Sequence, residues 1–153
     1  MSVSSTASGV WSSRLLRSAS VVFAFYTFGH TYGGMLHDDK RGPRQAAVFA
    51  AMRDYTFDVE GMTRSYWSFY RGFGFYVSMA LALLAVLCWQ LAQQSRSHPD
   101  AARPLVATLF VSLIAMTTLT AVDFFPAPTI LSALATLLIG GALGLLYRRG
   151  GAA

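Results

Sequence analysis

Four long, mainly apolar stretches occupy most of the chain, and short polar segments separate them. They run roughly over residues 15–36, 65–91, 104–125 and 129–147. An α-helix needs about 20 such residues to cross the hydrocarbon core of a bilayer. The pattern therefore predicts an all-α, integral membrane four-helix bundle, formed as a single membrane domain by residues 1–153.

The segment between the first two apolar stretches has a different pattern. Gly42-Pro43 favours a turn and then a helix start, because proline is tolerated in the first turn of a helix. Groups of apolar residues then alternate with groups of charged and polar residues. This pattern predicts a short amphipathic helix over about 43–54, which lies in the membrane interface or caps the bundle. Asp58, Glu60 and Gly61 then interrupt the amphipathic pattern. The Ser-rich residues 1–13 are predicted to be disordered or interfacial.

Composition supports a membrane location. Hydrophobic residues make up 54% of the chain and charged residues 12%, whereas soluble domains usually carry about 25% charged residues. The net charge is +5, but the basic residues cluster at the ends of apolar stretches, as topology signals do. They favour a multi-pass membrane protein with both termini inside. Cys88 has no cysteine partner, so it predicts neither an internal disulfide nor a redox pair.

Small residues recur at four-residue steps in the second and fourth predicted helices. In lipid, helices associate through close packing at such residues. Both stripes are therefore predicted to be contact faces within the chain, and the fourth helix offers a seam between copies as the alternative. The two stripes consist of Gly74, Ser78 and Ala82, and of Ser132, Thr136, Gly140 and Gly144.

Polar residues within the apolar stretches are costly in a membrane and point to a functional site. They concentrate at the end of the first helix, the start of the second and the end of the third, which the topology places at one membrane face. An Asp–Arg pair there would lower the cost of both charges, and a histidine would titrate near neutral pH. The candidate catalytic residues are His30, Arg71 and Asp123. The candidate ligand-binding residues are Thr31, His37, Arg64, Trp67 and Tyr70.

No cofactor and no metal ion are expected. His30 and His37 lie about 10 Å apart along a helix axis, which is too far for both to chelate one ion directly. The first interpretation is a structural or accessory protein, or one that binds an apolar ligand at its outer end. The alternatives are an enzyme that acts on a lipid or isoprenoid by acid–base chemistry, and a small-molecule transporter. Membrane lipid and either a second copy or a larger membrane complex are the expected partners, and nucleic acid is not.

Two segments resemble a family of small uncharacterised bacterial membrane proteins with four transmembrane helices. In that family a Gly-His-Thr motif in the first helix precedes an Arg-Ser-x-Trp-x-Phe-Tyr-x-Gly-Phe-Gly segment that opens the second. The resemblance covers roughly half of the chain and implies a bacterial cytoplasmic-membrane protein without a known activity. The matching positions are Gly29, His30, Thr31, Arg64, Ser65, Trp67, Phe69, Tyr70, Gly72, Phe73 and Gly74.

Overall fold

The computed structural model describes residues 3–36 and 42–150, with side chains for 9–36 and 42–148. Its described residues are almost entirely helical, and the all-α class is confirmed. In chain order the elements are α1 (Val3–Gly29), a π-helix (His30–Leu36), α2 (Pro43–Asp54), β1 (Thr56–Val59), β2 (Met62–Ser65), α3 (Tyr66–Ser97), α4 (Pro99–Asp123) and α5 (Pro126–Gly150).

Three of the described helices are long and apolar enough to cross a membrane: α3, α4 and α5 up to Arg148. Large apolar side chains are exposed on all three, for example Val122 at 77% and Leu137 at 74%. A soluble protein rarely exposes so much apolar surface, whereas lipid accommodates it. A membrane protein is therefore supported, while the predicted fourth span is not among the three helices.

The chain divides into two compact units. The first unit contains residues up to Tyr26 and from Leu81 onward, and the second contains Thr27–Ala80. The first unit has a core of apolar side chains from α1, α3, α4 and α5. Its fully buried members include Leu16, Ala19, Phe23, Cys88, Val106, Ile139, Ala142 and Leu146.

In the first unit, α4 and α5 pack together as a helical hairpin with only Phe124–Phe125 between them. Thr136 Oγ1 of α5 lies 3.0 Å from Thr117 Oγ1 of α4, and a Cβ placed at Gly140 would lie 2.7 Å from Phe110 Cε2. The α5 stripe is thus a contact face, as predicted, up to Gly140. Gly144 is exposed and would meet no described atom within 4 Å, so the prediction is wrong there.

In the second unit, β1 and β2 form an antiparallel hairpin with Val59 opposite Met62. Glu60 and Gly61 have φ of 50° and 78°, as a two-residue turn with two left-handed positions requires. Thr63 Oγ1 donates a hydrogen bond of 2.8 Å to Asp58 Oδ1 across the strands. The hairpin was not predicted, and it means that Arg64 lies on β2 rather than in the first turn of the second long helix.

The helices begin at other residues than predicted. α1 is helical from Val3, although residues 1–13 were expected to be disordered or interfacial, because Ser12 and Ser13 are buried on the same face as the core residue Leu16. α4 begins at Pro99, not at Pro104. Pro99 is at the first helical position, which suits proline.

α5 likewise begins at Pro126, before the expected start at residue 129. The predicted first apolar helix, 15–36, stops being α-helical at Gly29 and continues as the π-helix. α2 spans Pro43–Asp54 and has no buried residue.

Candidate functional site

One serine of α3 connects to two polar residues at the start of the π-helix, all within the second unit. His30 Nδ1 lies 3.0 Å from Ser78 Oγ, and Thr31 Oγ1 donates a hydrogen bond of 2.8 Å to the same oxygen. Ser78 Oγ also lies 3.3 Å from the carbonyl oxygen of Gly74, one turn earlier in α3. Two of the predicted site residues therefore meet at a residue that was predicted only as part of a packing stripe.

The local backbone helps both residues to reach one hydroxyl. π-Helical turns are wide, rare and frequently found at functional sites, and this one runs through seven residues from His30. Met35, further along the π-helix, packs on Gly74, where a Cβ would collide with its sulfur. The α3 stripe is thus a contact face at Gly74 and Ser78, as predicted, and the absence of a side chain at Gly74 allows the approach.

The His30–Ser78 pair has the separation of a serine nucleophile and its base. Ser78, however, is only 7% exposed, and its oxygen already contacts three groups. A nucleophile has to reach its substrate, whereas a buried hydroxyl with this many partners holds two helices together. The geometry therefore favours a structural or ligand-orienting role for the pair over nucleophilic catalysis.

A second feature of this unit is a group of aromatic rings at the start of α3. Trp67 lies 5.4 Å from Tyr70 and 5.1 Å from Phe49 of α2, measured between ring centroids. The guanidinium of Arg53, also on α2, lies 4.1 Å from the Trp67 ring centroid, within the range of a cation–π interaction. A further set of rings joins the hairpin to α3: Tyr55, Phe57, Tyr66, Phe69 and Phe73.

A shallow, open groove of about 350 Å³ lies beside these rings. Its lining is apolar and aromatic, and it consists of Val48, Ala51, Met52, Tyr55 and Tyr66. Tyr55 and Tyr66 stack with 5.7 Å between their centroids. This volume is at the small end of the range for ligand pockets, which starts at about 300 Å³.

The remaining predicted residues have the following positions. Arg64 is exposed on β2, where its guanidinium contacts Thr63 O and Met62 Sδ, so its predicted place on the α3 face is wrong. Arg71 is exposed, with its guanidinium 5.7 Å from the ring centroid of Phe75, one turn further along α3.

Asp123 is exposed and is the last residue of α4, in the first unit. His37 lies outside the described residues. The predicted meeting of Asp123 with His30 and Arg71 stays a prediction.

Sequence reasoning missed Ser78, Arg53 and Phe49 as members of these clusters. Ser78 does carry a signal, because it is a hydroxyl within a long apolar helix, but only the rotation of α3 shows what it faces. Arg53 and Phe49 give no signal of their own, since their contacts with Trp67 depend on how α2 folds back on α3.

Within residues 3–36 and 42–150, no three His, Cys, Asp or Glu side chains lie close enough together to hold a metal ion. No family model, curated protein or solved structure matches the chain.

Proposed function

We propose that this chain is a four-span protein of the bacterial cytoplasmic membrane that binds an apolar, lipid-like ligand at the groove of its second unit. The family resemblance of the Gly-His-Thr segment is part of this proposal. The observation that carries it is the apolar groove beside the aromatic rings at the start of a helix long enough to span a bilayer. Aromatic residues concentrate where a membrane-spanning helix leaves the hydrocarbon region.

The fourth span would consist of α1 from about residue 15 together with the π-helix. These residues are mainly apolar, and two arginines mark the beginning of the stretch: Arg14 and Arg17. Both guanidiniums lie over tryptophan rings, Arg14 at 5.0 Å from Trp11 and Arg17 at 5.1 Å from Trp89. Such stacked arginines are well suited to the interface at the end of a span.

The number of spans can be tested by locating the two termini. With four spans both termini lie on the same side of the membrane, whereas with three they lie on opposite sides. Fusing a periplasm-dependent and a cytoplasm-dependent reporter to each terminus in turn distinguishes the two arrangements. Termini on opposite sides would contradict the proposed fourth span.

The ligand site can be tested with phosphatidylethanolamine that carries a photoreactive diazirine on one acyl chain. After irradiation in nanodiscs, we expect adducts on Val48 and Met52 of the groove. Met52→Trp should fill the groove and remove the adducts on Val48. Met79→Trp is the matched control, because Met79 is 64% exposed in the same unit and does not line the groove. Adducts spread evenly over exposed residues, or unaffected by Met52→Trp, would contradict a specific site.

A further inference from the structure

Two arginines of α1 lie over tryptophan rings at the surface of the first unit. The guanidinium of Arg17 lies 5.1 Å from the ring centroid of Trp89, which belongs to α3. That of Arg14 lies 5.0 Å from the ring centroid of Trp11, one turn earlier in α1. All four side chains are exposed. Residues three apart in a helix are neighbours on its surface, so this surface presents two positive charges one helical turn apart.

Both guanidiniums still have hydrogen-bond donors available. A guanidinium carries several N–H donors in its plane, and a cation–π contact uses its charge but not these donors. Within the part of the chain that the structure describes, neither Arg14 nor Arg17 forms an ion pair or donates a side-chain hydrogen bond. The planar fork of an arginine matches the oxygens of a carboxylate or a phosphate. The pair is therefore equipped to bind an anion.

The first unit itself supplies almost no negative charge near these arginines. Residues 1–26 and 81–153 contain two acidic residues, Asp100 and Asp123. Asp100 Oδ1 pairs with Arg103 Nη1 at 3.0 Å, and Asp123 lies at the other end of α4, about 35 Å away along its axis. A zwitterionic lipid would find no free carboxylate here for its ammonium group. A headgroup with a net negative charge fits these surroundings better.

The helices α1 and α3 run side by side and antiparallel at this surface. Arg17 contacts Trp89, and three residues later Ser20 Oγ donates a hydrogen bond of 2.7 Å to the carbonyl oxygen of Ala85, which lies four residues before Trp89. Away from the arginines, the surface therefore follows α1 forward and α3 backward in sequence.

Exposed apolar side chains continue along both helices in that direction. Val21, one turn after Arg17, is 64% exposed, and Val86, about one turn before Trp89, is 52% exposed. Such a surface suits an acyl chain, because both are apolar. A free phosphate ion would gain nothing from it. The arrangement thus favours an anion that is attached to a hydrocarbon chain.

We propose that an anionic phospholipid binds here, with its phosphate at Arg14 and Arg17 and an acyl chain along Val21 and Val86. Basic sites between membrane helices bind anionic headgroups in this way. Phosphatidylglycerol represents the class. The site requires a membrane location but not the groove at Met52, which lies in the other unit and is tested with another lipid. Either site can therefore fail without the other.

The test measures how strongly lipids with brominated acyl chains quench the fluorescence of Trp89. The full chain carries Trp11→Phe and Trp67→Phe, so that Trp89 is its single tryptophan and a ring remains beside Arg14. Vesicles of dioleoylphosphatidylcholine contain increasing fractions of brominated phosphatidylglycerol or, in a parallel series, brominated phosphatidylethanolamine. Each quenching curve gives the affinity of that lipid relative to phosphatidylcholine.

An arginine near the membrane surface favours an anionic lipid about 5-fold. With two arginines we expect a preference for phosphatidylglycerol of about 5- to 25-fold, and none for phosphatidylethanolamine. Equal affinities for the two lipids would overturn the proposal. Inorganic phosphate should not relieve the quenching more than sodium chloride of the same ionic strength does. Relief by phosphate itself would show that the acyl chain does not contribute, which would overturn a lipid as the occupant.

Arg17→Gln should lower the preference for phosphatidylglycerol about 5-fold. Arg17→Lys keeps the positive charge and should keep most of the preference. A loss with Arg17→Lys as large as with Arg17→Gln would contradict an electrostatic origin and overturn the proposal.

Arg148→Gln is the matched control, because it removes the same charge from an exposed arginine of the same unit. A Cβ placed at Gly141 of α5 would lie 3.3 Å from Leu15 Cδ1, and Arg148 follows about 10 Å further along the axis of α5. Charges separated by more than about 8 Å are largely screened at physiological salt. Arg148→Gln should therefore change the preference less than about 2-fold. An effect equal to that of Arg17→Gln would refute a site at Arg17.

Discussion

Replacing Ser78 by alanine removes the hydroxyl that joins α3 to His30 and Thr31. Hydrogen bonds between membrane helices contribute about 0.6 kcal/mol each on average, so the two contacts together account for about 1.2 kcal/mol. The substitution also leaves both partners unpaired in an apolar environment, which raises the cost. We expect Ser78→Ala to lower the free energy of unfolding by about 1–3 kcal/mol.

Ser112→Ala is the matched control. The hydroxyl of Ser112 is exposed and bonds at 3.0 Å only to the Thr108 carbonyl of its own helix, so its loss should cost less than about 0.5 kcal/mol. Steric trapping of the unfolded state in bicelles measures both values under native lipid conditions. Combining Ser78→Ala with Thr31→Val should cost less than the sum of the two single changes, because they share one hydrogen bond.

If Ser78→Ala destabilises the protein no more than Ser112→Ala does, Ser78 does not join α3 to the π-helix as described. If the effects of Ser78→Ala and Thr31→Val are additive, the hydroxyls of these two residues do not interact.

Two further changes test packing in each unit separately. Gly140→Leu should weaken the α4–α5 hairpin and lower the temperature of thermal unfolding, because its side chain would meet Phe110. Adding Phe110→Ala should partly restore the stability of this variant. Gly144→Leu is the control and should have little effect on thermal unfolding, because the space around Gly144 is open. Arg53→Gln should lower stability by about 0.5–1 kcal/mol through loss of the cation–π contact and should alter the fluorescence of Trp67 in a chain whose other tryptophans are replaced by phenylalanine; an unchanged spectrum would show that the guanidinium does not lie over the ring.

The long apolar helices were predictable because lipid imposes a simple rule on length and composition. Their exact starts were not. Pro99 and Pro104 are both acceptable in the first turn of a helix, so the sequence does not say at which of them α4 begins. In the structure α4 begins at Pro99, and only His98 separates it from α3. α1 could not be extended to Val3 from its serines alone, because burial of Ser12 against the rest of the unit is a tertiary effect.

The β-hairpin had a readable signal. Residues 56–59 alternate between polar and apolar just before Glu60-Gly61, and a glycine in a two-residue turn after such a segment is a hairpin signal. The turn follows closely after α2, which ends at Asp54. Gly61 was therefore interpreted only as a residue that interrupts the helical pattern.

The candidate site was predictable only in part. That His30 and Thr31 are important polar positions followed from their place in an apolar stretch. That they share Ser78 depends on the rotation of α3 and on the π-helix, and hydrophobic periodicity contains neither. Arg64 was misplaced for the same reason as the hairpin was missed.

The shortness of two connections has a consequence for how the protein enters the membrane. One residue joins α3 to α4 and two join α4 to α5, and Arg103 at the start of α4 donates a hydrogen bond of 3.0 Å to Leu146 O near the end of α5. The three helices are therefore expected to alternate in direction across the membrane and to take one orientation together. Arg96, Arg103 and Arg148 lie at the end that they share, so by the positive-inside rule an added charge at that end should change the orientation of all three helices together.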